Sequence, residues 1–208
     1  MLEKLAKQTA VYGISTIAVR FLSYLLTPVF TRVFEPEAYG IVTDVYALIP
    51  FALVVLTMGL ESAYFRFAAK ADAAAAAAGG TEGEIAARAR AGKRRLFATA
   101  WGVTLLAASL FFLLTAFGRE RVAEWMGEAY VAHPEYVLLV AAVVWFDVAA
   151  CLPFSRLREQ GRAMTFVGIK ALGVVVNVAL AIGFALAGLY GTPFGVGWVF
   201  VANLIASA

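Results

Sequence analysis

The stretch that decides the fold is GISTIAVRFLSYLLTPVFTRVFEPEAYG, residues 13–40, an apolar run with an arginine, Arg20, near its middle. A helix that crosses a membrane needs about 20 predominantly apolar residues, and this run supplies them. A charge at mid-bilayer costs roughly 2.5–3.5 kcal/mol on insertion scales, so it faces a bundle interior or an aqueous cavity. A membrane reading of this stretch therefore requires further helices to close around Arg20. The stretch already carries one polar face: Gly13, Thr16, Arg20, Ser23, Thr27 and Thr31 recur at helical spacing. Pro28 favours a bend, and residues 34–37 (FEPE) make a short polar turn.

Composition supports the membrane reading. The chain is 62% hydrophobic and 15% charged, with a mean hydropathy of +0.83, against about one-quarter charged residues in an ordinary soluble domain. The two lysines before the first apolar run resemble the start of a secretory signal. That run is too long, contains Arg20 and lacks a small-residue cleavage site, so it reads as a retained first helix. The single cysteine, Cys151, excludes an intrachain disulfide framework.

Moving outward from residues 13–40, the expected architecture is all-α. It is a polytopic transmembrane bundle of about six spans, at residues 8–33, 39–67, 96–117, 136–154, 164–189 and 196–208, the last cut short. Between the second and third spans, residues 68–95 are alanine-rich and then basic. With Gly79-Gly80 they read as a cytoplasmic loop in which residues 82–95 form at most a short surface helix. Residues 155–162 read as a second basic connector. Trp125, Tyr130 and Tyr136 suit a membrane interface. His133, with no second histidine and no cysteine near it, points to no metal or catalytic site.

The 17 lysines and arginines fix an orientation. With the N-terminus cytoplasmic, only Arg32, Arg119 and Arg121 fall on the outer side and only Arg20 and Lys170 within spans. The rest lie on the inner side, as the positive-inside rule requires. The basic pI near 9.1 is thereby explained by topology, and no nucleic-acid partner is needed. The basic cluster at Arg88, Arg90, Lys93, Arg94 and Arg95 either marks that topology or grips anionic lipid headgroups.

Charged groups inside spans are functional candidates by default. Here they are Arg20, Asp44, Glu61, Asp147 and Lys170, and Asn177 stands seven residues from Lys170 on nearly the same helix face. For Glu61 and Arg66 the plain alternative is interfacial snorkelling with a local ion pair. For Asp147 it is service as the partner of another helix's base. Ala179, Gly183, Ala187 and Gly191 form a small-residue ladder suited to close helix contact. A cavity lined by both signs of charge suits an amphiphile whose anionic head crosses while its tail stays in lipid. The HExxH and phosphate-loop signatures are absent and no metal-ligand pairs occur, so the chain does not read as an enzyme.

A family resemblance rests on Lys7-Gln8-Thr9-Ala10, Tyr12-Gly13, Arg20-Phe21, Thr27-Pro28, Thr31-Arg32, Pro36 and Tyr39-Gly40. Residues 59–67 (GLESAYFRF) and the 156–162 connector add to it. In these the chain resembles the Wzx-like polysaccharide and oligosaccharide flippases of the multidrug/oligosaccharidyl-lipid/polysaccharide exporter superfamily. The resemblance implies two six-helix lobes around a central cavity of alternating access, in the bacterial cytoplasmic membrane. It further implies that the cargo is a polyprenyl-pyrophosphate-linked oligosaccharide, for cell-surface polysaccharide such as lipopolysaccharide. Arg20, then Lys170 and Asn177, would meet the substrate. Asp44, Glu61 and Asp147 would bind a coupling cation, H+ or Na+, or partner those bases, and no other cofactor is implied. This chain corresponds to the N-terminal lobe, so its partners would be lipid-linked oligosaccharide, membrane lipids, a C-terminal lobe, and polysaccharide polymerase or glycosyltransferases. A cation-coupled drug antiporter of the same superfamily and a non-transporting membrane scaffold are the alternatives.

Overall fold

A computed structural model describes residues 26–208; Arg20 and most of the first expected span lie outside the described residues. Among the described residues the protein is helical throughout, with no strand. Helix α1 (Thr27–Val33) is the end of that first span. The expected turn shrinks to Phe34 and Glu35, because Pro36 opens α2 (Pro36–Thr57), where its missing N–H costs nothing, and Glu37 favours the positive helix start.

The expected second span is not one straight helix. Met58 (φ 49°) and Gly59 (φ 68°) are two successive left-handed residues that break it and redirect the chain into α3 (Leu60–Ala77). Glycine adopts this conformation freely, whereas Met58 bears the steric cost of a Cβ.

The loop expected at residues 68–95 is instead helical, apart from a turn at residues 78–81. Helix α3 runs through Ala77, and α4 (Glu82–Phe117) continues unbroken into the third span. Alanine is the best helix former, and its small side chain lets two backbones close: a Cβ on Gly92 would sit 3.4 Å from that of Ala71. A capping box starts α4. The Glu84 amide donates to Thr81 Oγ1 (3.4 Å) and the Thr81 amide to the Glu84 carboxylate (2.9 Å), while Arg88 donates to the Gly79 carbonyl (2.7 Å). At 36 residues α4 is about 54 Å long. It exceeds the roughly 30 Å hydrocarbon core, so the α3–α4 hairpin projects beyond the bilayer at its basic end.

Two short helices, α5 (Arg119–Met126) and α6 (Glu128–Val131), lead to α7 (Pro134–Glu159). The basic connector expected at residues 155–162 is likewise mostly helix, since α7 runs through Glu159. Pro153 inside α7 leaves the Ala149 carbonyl without its helical N–H, and the Trp101 indole donates to that carbonyl at 2.9 Å. After α8 (Ala163–Leu186), a 3-10 turn (Leu189–Gly191) leads to α9 (Gly197–Ser207).

Helix α7 is the hub. Val137, Val140, Val144 and Val148 pack in one core with Val42, Val45 and Ile49 of α2 and Val199 and Phe200 of α9. A second cluster joins Tyr64, Ala100 and Leu152. At the end opposite the hairpin, Tyr130 and Tyr136 are buried rather than displayed at an interface. Their hydroxyls donate to the carbonyls of Ile41 (3.4 Å) and Phe194 (2.7 Å), while Trp125 is exposed. Phe51, Val54, Leu106, Leu114, Leu172 and Leu186 turn outward, the inverse of a soluble surface. Four helical segments, Pro36–Ala77, Glu82–Phe117, Pro134–Glu159 and Ala163–Leu186, are long and apolar enough to cross a membrane; Gly197–Ser207 is apolar but shorter.

Candidate functional site

Helices α7, α8 and α9 border an open cavity of about 550 Å³ whose lining includes Asp147, Phe154, Lys170, Gly173, Asn177, Asn203 and Ser207. Local sequence accounts for this polar patch. Lys170, Gly173 and Asn177 share a face of α8 because they stand three and four residues apart. Gly173 admits α9, whose Ala206 carbonyl lies 3.1 Å from the point a Cβ would occupy. That close approach sets Ser207 beside the Asp147 carboxylate, with Lys170 near enough to act on it electrostatically.

Lys170 projects its ammonium over the Phe154 ring, 4.4 Å from the centroid, a cation–π contact that holds the charge against an apolar wall. Among the described residues no carboxylate lies within ion-pair distance of it. Its three N–H donors therefore remain open to an anion.

Three of the residues singled out by sequence, Asp147, Lys170 and Asn177, thus meet in one cavity. Asp44 does not join them. It is exposed on α2 near Tyr130, where burial first, and then the charge of Asp44, push that phenol up to about 12. Glu61 is also elsewhere, as the ion-pair partner of Arg158 of α7 and not of the nearby Arg66. Cys151 Sγ donates to the Glu61 carboxylate at 3.4 Å, and the Arg158 guanidinium sits 5.5 Å from the ring centroids of both Phe65 and Phe166. A second ionic node lies on the same helices, where Lys93 bridges Asp72 and Glu159 at 2.7 Å each. These pairs clamp α3 and α4 to α7 at the basic end.

Sequence reasoning assigned no role to Asn203 and Ser207. Their signal was the spacing of two polar residues, four apart, on the otherwise apolar α9. The small-residue ladder of Ala179, Gly183, Ala187 and Gly191 is not the contact made here: all four are exposed, Gly183 has open space around it, and Gly173 makes the close approach. Among the described residues no group of three or more His, Cys, Asp or Glu converges as a metal site would need.

Four membrane-length helical segments and a mixed-charge cavity between three helices define a multi-pass membrane protein. The family model described as "Polysaccharide biosynthesis protein" matches residues 5–208, and the chain belongs to that family, the family of the Wzx-like flippases. No curated protein and no solved structure matches the chain.

Proposed function

We propose that this chain forms one lobe of a flippase that carries a polyprenyl-pyrophosphate-linked oligosaccharide across the bacterial cytoplasmic membrane by alternating access, for cell-surface polysaccharide synthesis. The observation that carries the reading is the Lys170 ammonium, which among the described residues has no ion pair and lines the open cavity between the membrane-length α7 and α8 and the shorter α9. A pyrophosphate is a strong hydrogen-bond acceptor of matching charge. Lys170 and Asn177 bind it, joined by Arg20 from the first span.

Asp147 balances Lys170 when the cavity is empty and is the best placed acid to take up a coupling H+ or Na+. Glu61, engaged with Arg158, serves as a charge partner. The outward apolar face of α8, with Leu172, Val175 and Leu186 exposed, meets lipid and the second lobe. The N-terminus is cytoplasmic, so the α3–α4 hairpin faces the enzymes that build the glycan.

Arg20→Ala and Lys170→Ala in the complete protein abolish export of lipid-linked sugar while membrane insertion persists. Normal export in both variants refutes the assignment. Organic-cation transport that survives neutralising Arg20 and is lost on neutralising Asp147 identifies a cation-coupled antiporter instead.

A further inference from the structure

A second cavity, of about 470 Å³, opens between α1, α2 and α8, and it differs in kind from the first. Its polar lining among the described residues is Thr27, Tyr39, Thr43, Tyr46 and Asn177, none of them charged. Asn177 lines both cavities, so the two meet at that residue. The Tyr46 hydroxyl lies against the side-chain amides of Asn177 and Asn203 and joins the two walls.

The chemistry of the second cavity suits one class of ligand. Hydroxyls and amides both donate and accept, as the dense neutral hydroxyls of a sugar require. The two tyrosines add aromatic surface for the apolar C–H face of a sugar ring. Thr43 Oγ1 already donates to the Gly40 carbonyl at 2.8 Å, which leaves its lone pairs free to accept. A fixed charge would favour an ion here, and none of the described lining residues carries one.

Resting on the flippase reading, we infer that the two cavities divide one substrate. The Lys170 cavity takes the diphosphate, and the Thr27–Tyr39–Thr43 cavity takes the neutral sugar next to it. Lys170 and Asn177 are seven residues apart on α8, about 10 Å along its axis, a separation that a diphosphate and its first attached sugars bridge. The order also fits the membrane: the charged cavity lies toward the basic end and the neutral one beyond it, where a glycan entering head first comes to rest.

The test measures affinity of the purified complete protein in detergent for two lipids, bare polyprenyl diphosphate and the same lipid carrying a neutral disaccharide. The wild type is expected to bind the sugar-bearing lipid about tenfold more tightly, the effect of one or two added hydrogen bonds. Tyr39→Phe combined with Thr43→Val removes two hydroxyls at constant shape. This variant is expected to lose that preference and to keep the wild-type affinity for the bare lipid. Thr27→Val alone, at an exposed helix start, reports the same loss in smaller measure should the double variant not fold. Equal wild-type affinity for the two lipids, or a preference that survives both variants, overturns the inference and leaves the flippase reading standing. Failure of the wild type to bind either lipid removes the flippase reading, and this inference with it.

Discussion

One substitution, made at three glycines of α8, separates close packing from open space. At Gly173 an added Cβ meets the Ala206 carbonyl at 3.1 Å, so α9 must give by a few tenths of an ångström. At Gly168 and Gly183 an added Cβ meets nothing within 4 Å. Alanine in place of a helix-interior glycine stabilises by roughly 0.5–1 kcal/mol through backbone entropy, and that gain should appear undiluted at Gly168 and Gly183. At Gly173 it is opposed by overpacking, which costs typically about 1–3 kcal/mol. Gly173→Ala should therefore fall below the other two by about 1–3 kcal/mol, and Gly173→Val further still. Equilibrium unfolding in mixed detergent micelles, followed by helix content, reads the difference. Because α9 carries Asn203 and Ser207, the same variant should also weaken anion binding at Lys170. Equal stability of the three alanine variants would falsify the close α8–α9 contact on which the cavity depends.

Other consequences concern the frame around the site. A double-mutant cycle on Glu61→Gln and Arg158→Gln should give a coupling of about 1 kcal/mol, toward the low end of the range for contacting pairs because both groups are partly exposed; additive effects would contradict the pair. Thr81→Ala removes half of the capping box and should cost roughly 1 kcal/mol, seen as faster amide exchange over the first turns of α4 with the core unchanged. The Tyr130 phenol, raised by burial and by Asp44 to about 12, contributes stability that is complete below pH 10 and lost as the pH climbs from there through about 12. Tyr130→Phe should therefore flatten alkaline unfolding across that window, and Asp44→Asn should advance the phenol's titration. An alkaline limb identical in Tyr130→Phe would sink the placement.

Much of this was legible locally. Lys170 and Asn177 share a face by spacing alone, and a carboxylate in the middle of an apolar run marked Asp147. Thr81 and Glu84 also spelled out the start of α4 in the sequence. Low complexity and two glycines concealed it, although alanine-rich segments favour helix over loop. Two features were not readable because they depend on distant residues. Glu61 finds Arg158, 97 residues away, through packing of α3 on α7. The contact glycine of α8 is Gly173 because α9 lies there, whereas spacing along α8 alone pointed to Gly183 instead. The break at Met58 and Gly59 was hidden by a non-glycine residue in a left-handed conformation, which composition does not announce.

The central claim is that the cavity between α7, α8 and α9 binds an anionic headgroup through Lys170. Its most direct test is the affinity of the purified complete protein for polyprenyl diphosphate, compared between wild type and Lys170→Gln. A charge-assisted hydrogen bond contributes about 1.5–3 kcal/mol, so the variant should bind about 10- to 100-fold more weakly with an unchanged melting temperature. Equal affinity in the two proteins would contradict the claim.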